Sequence, residues 1–219
     1  MTSDLSRDLA SWRREYSDQG LDVDDLPDNP ISAFVEWLSA ARAVGLHEPN
    51  AMVVSTVSAA GAPSSRMVLL KTLDARGFVF YTNFNSRKGR DLLANPACAL
   101  MFPWHVLERQ VRIDGVASRV DEVEADAYFA GRPRGSQLGA WASPQSDVVP
   151  DLAFLRERYT TESDRFAGSD VIPRPPQWSG FLVRPHLMEF WQGRSGRMHD
   201  RIQFSRLDDN RWRKERLAP

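Results

Sequence analysis

Residues 51–82 read AMVVSTVSAAGAPSSRMVLLKTLDARGFVFYT. Ala51 to Ser58 is rich in β-branched residues, and Ala59-Ala60-Gly61-Ala62-Pro63 is turn chemistry. Ser65 to Lys71 reads as a second strand, Asp74 to Gly77 as a turn and Phe78 to Thr82 as a third strand. Short strands joined by tight connections predict an antiparallel meander. Further strands are expected at Ala97–Trp104, Arg109–Ser118, Gly180–Val183, Met188–Gln192 and His199–Ser205, with Trp212–Arg216 paired to the last. The sum is a mainly β fold with peripheral helices. Closing such a sheet into a barrel would remove its exposed edges.

Helices frame this core. Asn29 is a good N-cap and Pro30 suits the first helical position. Ile31, Phe34, Val35, Leu38 and Ala41 then recur at helical spacing, and Gly45 is a natural stop. Short helices are expected over Asp8–Tyr16 and Ser86–Leu93. Longer ones are expected over Val120–Ala130, ended by Gly131 and Pro133, and over Leu152–Phe166. Asp18–Asp28 reads as an acidic linker and Pro173–Pro176 as a stiff extended connector.

A chain of 219 residues suits one large domain or two small ones. It can bury roughly 70% of its unfolded surface without staples. Lys plus Arg is 28 against 29 for Asp plus Glu, a balance that gives no support to broad nucleic-acid or membrane-surface binding. The single cysteine, Cys98, lies in an apolar run and reads as a small buried hydrophobe rather than a reactive thiol. The first ten residues are polar and no apolar h-region follows, so a cytoplasmic protein is the default expectation. No stretch approaches the ~18 apolar residues of a membrane helix.

Four constellations carry chemistry. Arg66 and Lys71 bracket a strand and, five apart, should face opposite ways. They serve two parts of one pocket, two ligands, or merely solvent. Next, Ser86-Arg87-Lys88 puts two cations into the first turn of a helix, where the dipole disfavours them. An anion there would reverse that cost. Tyr128 and Arg132, four apart, share the end of a helix, followed by Arg134 and Ser136. A phosphate fits, and so does a plain polar helix end. Finally, if Arg197 to Arg201 is extended, then Arg197, His199 and Arg201 point one way beside Trp191 and need an anionic or polar partner. There is no P-loop, dinucleotide fingerprint, nucleophile elbow or metal-ligand spacing among the four histidines.

Together these motifs resemble the pyridoxine/pyridoxamine 5′-phosphate oxidase family. The resemblance covers nearly the whole chain: RREY at 13–16, RMVLLK at 66–71, FYTN at 80–83, SRKG at 86–89, FPW at 102–104, ERQV at 108–111, RPRGSQLGAW at 132–141, FWQG at 190–193, RMHDR at 197–201 and RLAP at 216–219. It implies a split β-barrel, an FMN-binding Greek-key antiparallel barrel over residues 29–219. Residues 1–28 would form an N-terminal segment that can cover the site. It also implies a homodimer. The expected reaction oxidises pyridoxamine 5′-phosphate or pyridoxine 5′-phosphate to pyridoxal 5′-phosphate, with O2 reduced to H2O2.

Carried over by position, FMN contacts would come from Arg66, Met67, Val68, Leu69, Lys71, Tyr81, Thr82, Arg87, Lys88, Gln110, Gln145, Ser146, Trp191 and Arg201. The substrate phosphate would meet Lys71, Tyr128, Arg132 and Ser136. Arg197 and His199, the implied catalytic pair, would hold the pyridine ring with Met198 between them, and Arg13 and Tyr16 would lie over it. Met198 departs from the commoner leucine at near-constant volume. A related split-barrel flavin oxidase acting on a phenazine precursor, or a non-catalytic flavin or pyridoxal-phosphate binding module, are the competing readings. The joint presence of Tyr128, Arg132, Ser136, Arg197 and His199 counts against both.

Overall fold

The computed structural model describes Trp12 and residues 15–219. The chain divides into two compact units: one of residues up to 49, 102–112 and 187–219, the other of residues 50–101 and 113–186. No helix among the described residues is long and apolar enough to cross a membrane.

In the second unit the expected meander is present. Strand β1 (Ala51–Val57) pairs antiparallel with β2 (Pro63–Leu69), from Ala51 opposite Leu69 to Val57 opposite Pro63. Gly61, at φ 80°, supplies the left-handed residue of the connecting turn. A short strand β3 (Thr72–Asp74), not expected from the sequence, pairs with β4 (Gly77–Asn83). The hydrogen-bonded order is β2-β1-β5-β6-β7-β4-β3, with β5 at Ala97–Trp104, β6 at Arg109–Arg119 and β7 at Trp178–Gln192. The β1–β5 and β4–β7 pairs are antiparallel. Met52, Val54 and Thr56 of β1 point inward in the alternation a half-buried strand requires. Nearly all of β4 is buried, and its Phe80 packs near Phe181 at 5.9 Å. Cys98 is half-buried, and burial with Asp114 pushes its thiol pKa up to about 12, away from reactivity.

The first unit holds helix α1 (Pro30–Ala43) and the hairpins β7–β8–β9, with β8 at Asp200–Arg206 and β9 at Trp212–Arg216. The Asn29 side chain accepts the Ile31 N–H at 2.9 Å and Pro30 follows, as the sequence predicts. The buried face differs: it is Pro30, Ala33, Phe34, Trp37 and Ala41, while Val35 is 46% exposed. Trp37 wins that face because its ring meets Phe190 edge-on at 5.2 Å and carries Arg109 at 4.4 Å.

Several expectations need correction. Residues 180–183 and 188–192 are parts of one fifteen-residue strand; Pro185 is extended within it, a conformation its ring allows. Residues 134–142, where the sequence reading placed no helix, form helix α4, which follows α3 (Glu122–Ala130) and precedes α5 (Leu152–Arg165). Residues 18–28 are more than a linker. Asp22 caps a 3-10 turn at Val23–Asp25, and Leu21 and Leu26 are buried. The expected helix at 8–16 lies outside the described residues except Trp12, Glu15 and Tyr16, which are not helical.

Candidate functional site

The site-forming residues fall into two clusters, one in each unit. In the second unit, Ser86 caps helix α2 (Arg87–Ala94), accepting the Gly89 N–H at 3.3 Å. Gly89 is required there, since a Cβ would lie 2.4 Å from the Phe84 carbonyl oxygen. That close turn delivers Lys88, whose Nζ donates to Thr82 Oγ1 at 3.2 Å and Gln145 Oε1 at 3.1 Å. Among the described residues Lys88 meets no carboxylate. Burial and the nearby Arg66 both lower its pKa. Arg66 on β2 donates to Thr56 Oγ1 at 2.7 Å and Ser64 Oγ at 2.6 Å, and Thr56 donates onward to buried Asp91 at 2.7 Å. Burial lowers Arg66 as well, partly offset by Asp91. Arg87 is exposed, as is Ser146, which holds a left-handed φ of 76°.

A cavity of about 280 Å³ is lined by Met67, Val68, Leu69, Lys71, Tyr81, Thr82, Lys88, Tyr128, Arg132, Gln145 and Trp178. Ten of these eleven are residues the sequence singles out; Trp178 is the addition. β2 ends at Leu69, so Lys71 lies beyond the strand rather than at its end, and it is exposed at the cavity. A second cavity of about 500 Å³ gathers Leu69, Lys71, Tyr128, Arg132 and Ser136, which includes all four expected phosphate ligands.

Aromatic rings build the wall. Tyr81 and Tyr128 stack at 3.8 Å and 5°, and Trp178 lies nearly parallel to both. The Tyr81 hydroxyl is pushed up to about 12 by burial and Glu124. The Arg132 guanidinium sits 4.5 Å from the Trp178 ring centroid, with its Nη1 buried and without a hydrogen-bond partner. Burial lowers its pKa. A buried, unpaired guanidinium nitrogen costs free energy until an acceptor meets it.

In the first unit, Tyr16 meets Trp191 edge-on at 5.8 Å and His199 at 5.5 Å, and Trp191 lies 4.7 Å from His199. Tyr16 and His199 also line a cavity of about 430 Å³ with Trp12, Glu15, Arg194, Gly196 and Arg197. Ser17 and Asp18 are fastened here. Ser17 donates twice to Glu108 at 2.7 Å, and Asp18 accepts from Arg194 and Ser195 at 3.2 Å. Arg13 lies outside the described residues.

The expected row of three cations is not present. Ser195–Arg197 is a 3-10 turn in which Arg197 has φ 61°, so it leaves the strand that begins at Asp200. Arg201 is paired: it donates to both oxygens of buried Glu189 at 2.9 and 3.1 Å. Met198 is exposed, and Gln110 is half-buried on β6. Sequence reasoning assigned no role to Trp178, Glu189 or Glu108. A buried carboxylate opposite a family arginine gives no periodic signal.

These residues fit an anionic cofactor and an anionic substrate: among the described residues Lys88 meets no counter-charge and Arg132 Nη1 no acceptor, and phosphate oxygens supply both.

Residues 38–164 match the family model described as pyridoxamine 5′-phosphate oxidase, and residues 178–219 match the pyridoxine 5′-phosphate oxidase C-terminal dimerisation region. A curated relative from Nocardioides sp., named pyridoxine/pyridoxamine 5′-phosphate oxidase, is 52% identical over 212 residues, covering 97% of this chain and 98% of the relative. One of the same name from Rubrobacter xylanophilus is 52% identical over 219 residues, the whole of both chains. Among solved structures, PhzG from Burkholderia lata 383, in complex with tetrahydrophenazine-1-carboxylic acid, is similar at TM-score 0.85 and 33% identity, over 93% of this chain and 100% of that one.

Proposed function

The chain belongs to the pyridoxine/pyridoxamine 5′-phosphate oxidase family, and from that premise we propose how its residues divide the work. It is an oxidoreductase that converts pyridoxamine 5′-phosphate and pyridoxine 5′-phosphate to pyridoxal 5′-phosphate, and it acts as a homodimer. In our reading the flavin is FMN and the enzyme works in the cytoplasm. Bound flavin supplies a two-electron acceptor that dioxygen can reoxidise, with H2O2 as product.

The residues of this chain supply position and charge. Arg66, Arg87, Lys88, Thr82 and Gln145 hold the FMN phosphate, with Met67, Val68, Leu69, Tyr81 and Ser146 around it. Gln110, Trp191 and Arg201 are flavin residues in this proposal as well. Lys71, Tyr128, Arg132 and Ser136 hold the substrate phosphate, far from the reacting carbon. Arg197 and His199 hold the pyridine ring, and Tyr16, with Arg13 before it, covers them. Anchoring at both ends of the substrate fixes the 4′ carbon in one orientation. Oxidation of the alcohol gives the aldehyde directly; the amine gives an imine that water hydrolyses to aldehyde and ammonia. Residues 1–28 act in this proposal as a cover to the oxidase domain of residues 29–219, a reading supported by the Tyr16 ring contacts.

The observation that carries the proposal is Arg132 Nη1, buried without a partner beside Lys71, Tyr128 and Ser136. The similarity to PhzG keeps phenazine chemistry as a second reading. The test compares steady-state oxidation of pyridoxine 5′-phosphate, pyridoxine and a dihydrophenazine carboxylate. Two or more charge-assisted hydrogen bonds to phosphate predict that kcat/KM falls at least ~100-fold for unphosphorylated pyridoxine. Equal rates, or faster phenazine oxidation, would reject it. Cofactor released and separated by chromatography should be FMN; recovery of mainly FAD would reject that part.

A further inference from the structure

Trp178 is seven percent exposed, and it lies beside two members of the proposed phosphate cluster, Arg132 and Tyr128. Its ring underlies the Arg132 guanidinium at 4.5 Å. It lies parallel to Tyr128, within 4°, at 6.1 Å between centroids, and to Tyr81 at 5.4 Å. Phe129, between Tyr128 and Arg132 in the chain, meets it edge-on at 5.0 Å. The backbone is tied as well. Arg174 donates to the Trp178 carbonyl at 2.6 Å and to Asp126 of α3 at 2.6 Å, and pairs with Glu122 at the start of that helix. Helix α3 is the element that carries Tyr128.

A guanidinium can satisfy its donors in many directions if its long stem is free. Here a π-face lies against the guanidinium and occupies none of its N–H groups. Nη1 is therefore desolvated and still uncommitted. An apolar side chain of similar size would exclude water equally well but would not attract the guanidinium to its face. Resting on the reading that Arg132 binds the substrate phosphate, we propose that Trp178 is a positioning residue: its indole face aims Arg132 at the phosphate and sets the enzyme's selectivity for phosphorylated substrates.

The experiment uses the flavin-loaded full chain with Trp178→Leu, Trp178→Phe, Arg132→Ala and the double variant Trp178→Leu/Arg132→Ala. For each, KM and kcat for pyridoxine 5′-phosphate are measured, with Ki for inorganic phosphate as competitive inhibitor. Trp178→Leu should raise KM and phosphate Ki together by roughly 5- to 30-fold, the span of a desolvated cation–π contact. Its kcat should stay within about twofold, since the contact is equal in ground and transition states. Trp178→Phe, which keeps a π-face, should recover most of the loss. In the Arg132→Ala background the Trp178→Leu effect should vanish, because the two residues act as one unit.

A Trp178→Leu protein that lowers kcat but leaves KM and phosphate Ki unchanged would overturn the inference, as would additive effects in the double variant. If Trp178→Leu does not fold, Trp178→Phe decides: KM and phosphate Ki both raised about 2- to 5-fold support the role, and both unchanged reject it. Should Arg132→Ala itself leave KM and Ki unchanged, the reading of Arg132 falls and the inference with it. Should Arg132→Ala raise both while the Trp178 variants do not, the reading stands and the inference alone is wrong.

Discussion

The backbone N–H of Arg194 donates to Nδ1 of His199 at 3.1 Å. A neutral imidazole whose Nδ1 accepts must carry its proton on Nε2. His199 therefore offers a donor, not a base, at Nε2. Gln places an amide nitrogen near the Nε2 position and Asn places one near Nδ1. His199→Gln should keep kcat/KM within about 10-fold of the parent, while His199→Asn should lose roughly 100-fold or more. Steady-state oxidation of pyridoxine 5′-phosphate by both variants checks this; an Asn variant as active as the Gln variant would contradict it.

Lys88 predicts a pH dependence of flavin binding. Its pKa is lowered by burial and by Arg66. A bound phosphate favours the charged lysine, so binding takes up a proton wherever Lys88 has begun to lose one. FMN affinity should be highest below the lowered pKa and fall as pH rises through it, before the ordinary lysine value of about 10.4. For the ligand-free fold the sign reverses: the buried charge costs stability at lower pH, and that cost fades as Lys88 deprotonates. Fluorescence titration of FMN, with riboflavin as the phosphate-free control, measures the difference. A phosphate-dependent affinity that is flat into the alkaline range would contradict the assignment. Lys88→Ala should release flavin first, whereas Arg197→Ala should retain it and lose kcat/KM by about 10- to 150-fold.

The Arg201–Glu189 pair has a consequence for stability. Glu189 is buried, and Arg201 gives it both of its short contacts while Arg112 adds one at 3.5 Å. Arg201→Ala would leave a buried carboxylate short of charge, costing about 2–4 kcal/mol, or roughly 5–12 °C in Tm for a chain of this size. Arg201→Ala combined with Glu189→Leu should recover part of that loss. Thermal melting of both proteins decides it, and no recovery in the double variant would argue against the buried-charge explanation.

Gly89→Ala tests the turn that delivers Lys88. The new Cβ meets the Phe84 backbone at 2.4–2.6 Å, so the helix start must move. Overpacking of this kind costs about 1–3 kcal/mol. FMN affinity should fall together with Tm. Unchanged affinity in a destabilised protein would detach the turn from flavin binding.

Much of this was legible in the sequence. Asn29 and Pro30 mark the start of α1, Ser86 marks α2, and the β1–β2 meander follows from alternation and turn residues. What escaped notice had physical causes. Helix α4 begins at Arg134, after Pro133 at the N-cap with no side-chain cap, and contains Gly135 and Gly139, so its start carries no sign and its propensity is low. The left-handed Gly196-Arg197 pair breaks an apparent strand, and a non-glycine residue is uncommon in that conformation, so the sequence gives no sign of it. Trp178 follows a proline-rich connector and shows its role only when Tyr81, Tyr128 and Arg132 arrive from elsewhere in the chain. Burial of Leu21 rests on Asp200, which accepts its N–H at 2.9 Å across 179 residues, a distance no local pattern reports.

The most direct test mixes the flavin-loaded protein with pyridoxamine 5′-phosphate in the absence of oxygen while the visible flavin band is followed. The band should bleach in a single turnover, with one pyridoxal 5′-phosphate formed per flavin, and return when air is admitted. A band that stays unchanged with this substrate and with pyridoxine 5′-phosphate would contradict the account.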